Sequence, residues 1–252
     1  MSRKPTISPT KITNYLACPV KYRWTYIDQR GRWYMKAKSC YSFGTTLHKV
    51  LERFHDTGDI GVSTVGEVMA AYDESWIDAG FRSAEEMSEA YGEGMQILER
   101  HLEVERKKPE GAKTLFVEKQ LKLDMGEFFL MGRLDRVDEY PDGTVEVVDY
   151  KTGRESVCAE DLEHDIAMSV YQLLLKWKFP DRPVRARIIA LKSGESATWQ
   201  MSVEELQQFD EAVRQIGREI VSEDYYERLP VKKALCERCD FLQLCAKDPA
   251  FD

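Results

Sequence analysis

Two consecutive strand-like runs, near 127–139 and 144–151, constrain this chain more than any other feature. The first holds Phe128-Phe129-Leu130-Met131-Gly132-Arg133-Leu134-Asp135-Arg136-Val137. The second contains Val145, Val147 and Val148 and ends on Asp149-Tyr150-Lys151. Pro141-Asp142-Gly143 between them is a turn signal, so the pair reads as a β-hairpin. Such a hairpin brings two carboxylates and an ammonium to one end of a sheet. That is the equipment for holding a hard divalent cation beside a phosphodiester and a water. The bare spacing, an aspartate fourteen residues before Asp149, is loose. Its weight comes from its surroundings.

Around the hairpin the hydrophobic period switches between helix and strand. Ser8-Pro9 is an N-cap followed by proline at the first helical position, opening a helix with Ile12, Tyr15, Leu16 and Cys18. Leu47, Val50, Leu51 and Phe54 recur at helical spacing over 43–54. Thr64-Val-Gly-Glu67 and Ser83-Ala-Glu-Glu86 match capping boxes and predict helices near 64–78 and 83–106, an acidic helical insert over 60–110. A strand is expected near 114–123 before the hairpin. A helix near 166–179, strands near 184–191 and 196–200, and a helix from Ser202 to about 222 follow it. The tail, 230–252, is short, irregular and rich in cysteine. This order predicts an α/β fold with a mixed central sheet flanked by helices, organised as one domain over 1–252.

The formal net charge of −8 argues against a nucleic-acid partner until its distribution is read. Residues 1–53 carry eleven Lys/Arg against two acids, whereas 54–110 carry five against fourteen. Tyr15, Tyr22, Trp24, Tyr26, Trp33 and Tyr34 interleave the basic segment, which is therefore suited to following a phosphate backbone and stacking on bases. A solvated basic face over core aromatics has the same composition. No apolar run approaches ~18 residues, so no membrane span is expected. Met-Ser-Arg-Lys-Pro-Thr lacks the apolar centre of a secretory signal, and the expectation is a cytoplasmic protein.

Of six cysteines, three stand in the tail as Cys236-x2-Cys239-x5-Cys245. Thiolates so spaced in a reducing compartment ask for zinc or an iron–sulfur cluster, and the spacing does not separate the two. A fourth ligand is needed. Cys18, at an expected helix end, is preferred over Cys40 in a polar loop and Cys158 in an exposed stretch. Reduced, unliganded thiols are the alternative.

Taken in order, these pieces resemble the RecB-type nucleases of the PD-(D/E)XK superfamily. The likeness is strongest to the iron–sulfur branch that includes the AddB nuclease domain and the CRISPR-associated RecB-like exonucleases. Ser8-Pro-Thr-Lys-Ile-Thr-Asn-Tyr15-Leu-Ala-Cys18-Pro19 is similar to the family's opening helix with its first cluster cysteine. Gly44-Thr-Thr-Leu-His48-Lys-Val-Leu-Glu52 is similar to its GxxxHxxLE motif. Gly132-Arg-Leu-Asp135-Arg136 and Asp149-Tyr-Lys151-Thr-Gly153 match its two metal-binding strands. One position departs: the family has glutamine four residues before a helical tyrosine, whereas Ala167 precedes Tyr171 here, and Gln172 faces elsewhere on a helix.

The resemblance implies Mg²⁺ or Mn²⁺ held by His48, Asp135, Asp149 and the Tyr150 carbonyl, with Lys151 orienting and activating the attacking water or stabilising the phosphate. It implies a [4Fe–4S] cluster, in preference to zinc, on Cys18, Cys236, Cys239 and Cys245. Glu118 matches an acidic family position without an expected catalytic role, while Arg136 and Tyr171 are candidate DNA contacts or packed side chains. The expected activity is a metal-dependent deoxyribonuclease, an exonuclease on single-stranded DNA ends, working beside a separate helicase or a CRISPR-adaptation-type partner. A non-catalytic nucleic-acid-binding or assembly module with the same fold is the alternative. An iron–sulfur electron carrier finds no flavin or nicotinamide fingerprint to support it.

Overall fold

The computed structural model describes residues 4–56, 64–105, 111–249 and 251. The ends of the expected insert, 60–63 and 106–110, and positions 250 and 252 of the tail lie outside the described residues. β1 (Thr6–Ile7) leads into α1 (Pro9–Ala17), whose cap Ser8 accepts a hydrogen bond from the Lys11 N–H at 3.4 Å. Cys18 ends that helix rather than continuing it and caps α2 (Pro19–Tyr22) through its sulfur. A π-helical turn (Arg23–Ile27) and α3 (Gly31–Tyr34) follow, elements too short to leave a readable period. Then come α4 (Ser39–His55), α5 (Val65–Ser75) and α6 (Ala84–Glu105). The Thr64/Glu67 capping box opens α5 as expected.

β2 (Lys113–Asp124), β3 (Phe129–Glu139) and β4 (Val145–Lys151) run consecutively. α7 (Ala159–Glu163) and α8 (Ile166–Lys178) carry the chain to β5 (Val184–Ala190) and β6 (Ser196–Trp199). α9 (Val203–Val221), two 3₁₀ turns and α10 (Leu242–Cys245) complete the order. Among the described residues no helix is long and apolar enough to cross a membrane. The mixed sheet flanked by helices is the architecture the pattern of periods predicts.

The chain divides into two compact units. The larger comprises 37–122 and 132–207. Its sheet is built on the hairpin, with β3 and β4 antiparallel through Arg136 opposite Val148 and Glu139 opposite Val145. β4 and β5 pair in parallel from Val145–Val184 to Lys151–Ala190, an arrangement that α7 and α8 make possible by crossing over between them. β6 closes one edge antiparallel to β5, and β2 pairs with β3. Every residue of β4 before Lys151 is buried, which explains its near-continuous apolar run. Its core gathers Leu47, Val50 and Leu51 of α4, Tyr72 of α5, Ile97 and Leu98 of α6, and Val148 and Tyr150 of β4. The two helices of the acidic insert are therefore apolar on the side that meets this core.

The smaller unit comprises 1–36, 123–131 and 208–252. β1 pairs in parallel with the start of β3, Thr6 opposite Phe129 and Ile7 opposite Leu130. Gly217 of α9 lies under the Phe128 ring so closely that a Cβ there would fall 2.1 Å from ring carbons, so only glycine fits without a shift. Tyr15, Tyr22 and Trp24 are buried in this unit. Their part in the basic, aromatic segment is structural, and the base-stacking expectation does not hold for these three.

Candidate active site

α4 presents adjacent rows of side chains, because residues four apart stack on one face of a helix. The apolar residues Phe43, Leu47, Val50 and Leu51 are buried, while Gly44, His48 and Glu52 line a cleft of about 530 Å³. Gly44 matters sterically: a Cβ at this position would sit 3.0 Å from Thr152 Oγ1, so its absence lets the helix approach the end of β4. On β3 the period of two places Arg133 and Asp135 on the cleft side and turns Leu134 and Arg136 inward. β2 contributes Glu118, whose backbone is left-handed (φ 44°), a conformation that costs about 1–3 kcal/mol in a non-glycine residue and marks a built feature.

His48, Glu118 and Asp135 offer ligand atoms all within 4.8 Å of one another. His48 Nδ1 lies 3.4 Å from Asp135 Oδ2 and 3.9 Å from Glu118 Oε1, while Nε2 is 3.1 Å from the Tyr150 carbonyl oxygen. The Tyr150 N–H donates to Asp135 Oδ2 at 3.0 Å, so the backbone of one residue of β4 sets both the imidazole and the carboxylate. The 3.1 Å between Nε2 and the carbonyl oxygen is also about the spacing of adjacent ligands on an octahedral ion with ~2.1 Å bonds. One imidazole and two carboxylates suit a hard divalent cation. Asp149 stands outside this tight set and pairs with Lys151, Nζ to Oδ2 2.7 Å, without the alignment of a hydrogen bond. On the cleft wall Arg133 is ion-paired to Glu118.

The electrostatics reflect crowded acids. Burial works against the charged imidazolium of His48, but the nearby carboxylates of Asp135 and Glu118 outweigh it and push the group up to about 10. Burial, and then the charge of Asp135, push Asp149 up to about 6, although Lys151 and His48 pull the other way. Burial disfavours the Lys151 ammonium, yet Asp149 reverses the balance and raises it. Lys151 is therefore a cation in this state, equipped to stabilise charge rather than to accept a proton. The half-buried Tyr171 ring rests against Gly132, where a Cβ would be 2.9 Å away. Its hydroxyl is raised by burial and then by Asp149 and Asp135.

Two of the weaker sequence candidates turn out differently. Arg136 is only 1% exposed and cannot meet DNA. Because both faces of β3 are covered at this point, its guanidinium lies inside, within reach of Asp138, Glu105, the Tyr150 hydroxyl (2.8 Å) and His55 (2.6 Å to Nε2). His55, His101 and Glu105 also bring ligand atoms within 4.8 Å of one another. Arg136, always charged, already supplies the cation there, so this set is a buried network rather than a metal site. Glu118, passed over as catalytic, belongs to the tight acidic set; its match to an acidic family position at a strand was the signal that pointed to it. Cys40, expected in a loop, is an exposed residue in the first turn of α4. Gln172 is buried and accepts from the Met201 N–H at 3.0 Å, a packing role.

In the smaller unit Cys18, Cys236, Cys239 and Cys245 line one cavity with Trp24, Leu235 and Phe241. Backbone N–H groups of Lys21 and Lys233 donate to the sulfurs of Cys18 and Cys236, each at 3.4 Å. Burial, and then the nearness of Cys18, Cys239 and Cys236, push the Cys245 thiol up to about 11. Lys233 Nζ donates to the Ala17 carbonyl at 3.0 Å, tying the tail to the end of α1. Among the described residues the cysteines do not form a set within 4.8 Å as the His48 group does.

A family model described as the PD-(D/E)XK nuclease superfamily matches residues 6–246. No curated protein matches the chain by sequence. Among solved structures, one from Eubacterium rectale, provisionally described as an exonuclease, superposes with a TM-score of 0.57 at 14% identity. The match covers 99% of this chain and 90% of that one. The structure of SSO0001 matches with a TM-score of 0.42 at 14% identity, over 98% of this chain and 88% of that one, too distant to carry an argument.

Proposed function

Because this chain belongs to the PD-(D/E)XK nuclease superfamily, we propose that it is a Mg²⁺- or Mn²⁺-dependent exonuclease that hydrolyses single-stranded DNA from its ends. Family membership makes it a nuclease with DNA as substrate; the metal, the end preference and the residues are our reading. The observation that carries it is the convergence of His48, Glu118 and Asp135 within 4.8 Å, beside the Asp149–Lys151 pair. The provisional description of the Eubacterium rectale relative agrees with the exonuclease assignment.

The donor set fits a hard divalent cation, which when bound supplies Lewis-acid polarisation of the phosphate and a water made nucleophilic near neutral pH. His48, Asp135, Asp149, Glu118 and the Tyr150 carbonyl would hold it. The Tyr150 N–H locks the Asp135 carboxylate, and the Tyr150 carbonyl orients the imidazole. Lys151, kept charged by Asp149, faces the negative charge that grows on phosphorus-bound oxygens in the transition state.

Wild-type protein with end-labelled single- and double-stranded DNA tests this. Mn²⁺ is expected to support release of short products from the single strand, and chelation to stop it. Full cleavage in chelator would refute the metal-dependent reading, and absence of cleavage under every condition would favour a non-catalytic binding module.

We read the four cysteines as holding an iron–sulfur cluster of the [4Fe–4S] type. The support is their common cavity, N–H donors to two of the sulfurs, and the resemblance of their spacing to the iron–sulfur branch. Metal analysis of anaerobically purified protein is expected to find iron and sulfide; stoichiometric zinc without iron would overturn the assignment.

A further inference from the structure

Beside the row Gly44–His48–Glu52, α4 carries a second row along the same cleft: Tyr41, Thr45 and Lys49. All three are exposed, Tyr41 to 64%. Nothing in the mechanism above uses them. A tyrosine ring left open to water at the rim of a catalytic cleft costs apolar exposure and packs no core. Lys38 is its cationic neighbour among the described residues, with Nζ 5.7 Å from the ring centroid. The Lys49 ammonium has no carboxylate partner among the described residues, although acids crowd the cleft beside it. At ~1.5 Å per residue, the ring stands roughly 10 Å along the helix axis from His48, and Lys49 is adjacent to His48 in sequence. Reading along α4, the order is aromatic face, metal-ligand candidate, free cation.

We infer that this outer row is a subsite for an unpaired DNA end, in which Tyr41 stacks a base and Lys49 pairs with a backbone phosphate. A strand lying along the row would bring an intervening phosphodiester to the level of His48. Stacking on Tyr41 requires a base with a free face, which a nucleotide within a duplex does not offer. The row therefore selects frayed or single-stranded ends, and does so without reading sequence, since every base has a π-face. This deepens the nuclease reading of the cleft and rests on it.

The test is binding and cleavage by wild type and by Tyr41→Ala, Tyr41→Leu, Tyr41→Phe and Lys49→Ala. The binding probes are a fluorescein-labelled oligothymidylate and an abasic chain of the same length, followed by anisotropy in Ca²⁺. Tyr41→Ala and Tyr41→Leu are expected to weaken oligothymidylate binding about tenfold to a hundredfold, and Tyr41→Phe to bind within a factor of about two of wild type. The abasic chain should be insensitive to all three. Lys49→Ala should weaken both probes alike and lower the salt slope by about 0.7. In Mn²⁺ the Tyr41→Ala loss should fall on KM for single strands. Unaltered oligothymidylate binding by Tyr41→Ala and Tyr41→Leu would overturn the subsite, as would an equal loss on the abasic chain; wild-type cleavage would leave the nuclease reading intact. Tyr41-dependent binding by a wild type that cuts nothing would retain the subsite and sink the nuclease.

Discussion

Lys151→Ala is expected to lower the cleavage rate about a hundredfold to a thousandfold, the usual cost of removing one preorganised donor to transition-state charge. The loss should appear in kcat, measured on end-labelled single strands at saturating Mn²⁺. Lys151 also favours the ionised form of Asp149, which already lies near 6 through burial and the charge of Asp135. Without the ammonium, Asp149 moves higher still, so the acid limb of the remaining activity should shift to higher pH. The stability change follows the same linkage. A carboxyl whose folded value is raised stabilises the fold below its unfolded value and loses that contribution as pH climbs through the folded one. At pH 5 Asp149 is largely protonated with or without its partner, so the variant should melt near wild type. At pH 8 it buries an unpaired carboxylate and should melt measurably lower. An undiminished kcat would remove Lys151 from the mechanism.

Arg136→Met should be the most damaging single change to the fold. The guanidinium serves Asp138 and Glu105, and its loss leaves two sheltered carboxylates without their shared cation. Breaking a buried pair from one side costs about 3–5 kcal/mol, a large part of the stability of any domain. Urea denaturation at pH 7 is expected to show that loss. A change under about 1 kcal/mol would mean that the network relaxes around the vacancy. Because the same guanidinium meets the Tyr150 hydroxyl while the Tyr150 backbone N–H and carbonyl hold Asp135 and His48, weaker divalent-cation binding should accompany the loss of stability.

Much of this was legible beforehand for definite physical reasons. Proline and glycine between two apolar runs announced the hairpin, and a single hairpin fixes which side chains share the end of a strand. Asp149 and Lys151 were readable because they close a buried run. Capping boxes marked the start of α5, and the helical spacing of Leu47, Val50 and Leu51 placed His48 beside an apolar stripe. Glu118 was harder, since its place depends on β2 pairing with β3 and on a left-handed residue inside a strand, neither of which leaves a periodic trace. Arg136 looked like a surface residue because a period of two says which face a side chain takes and nothing about what covers that face. The short turns between Cys18 and Tyr34 fall below the length at which a helical period can be seen.

The cysteine cavity has a consequence for biosynthesis. Cys18 is made well before Cys245, with more than two hundred residues between them. At ~5–20 residues per second, roughly 10–45 s of translation separate them. For that interval the first thiol waits without its partners, available to oxidants and to wrong metals. A message cut short before the tail yields a chain with the whole His48 site and an orphaned Cys18. A group held by all four sulfurs can be loaded only after Cys245 has been made, so its acquisition reports that synthesis has run from Cys18 through Cys245.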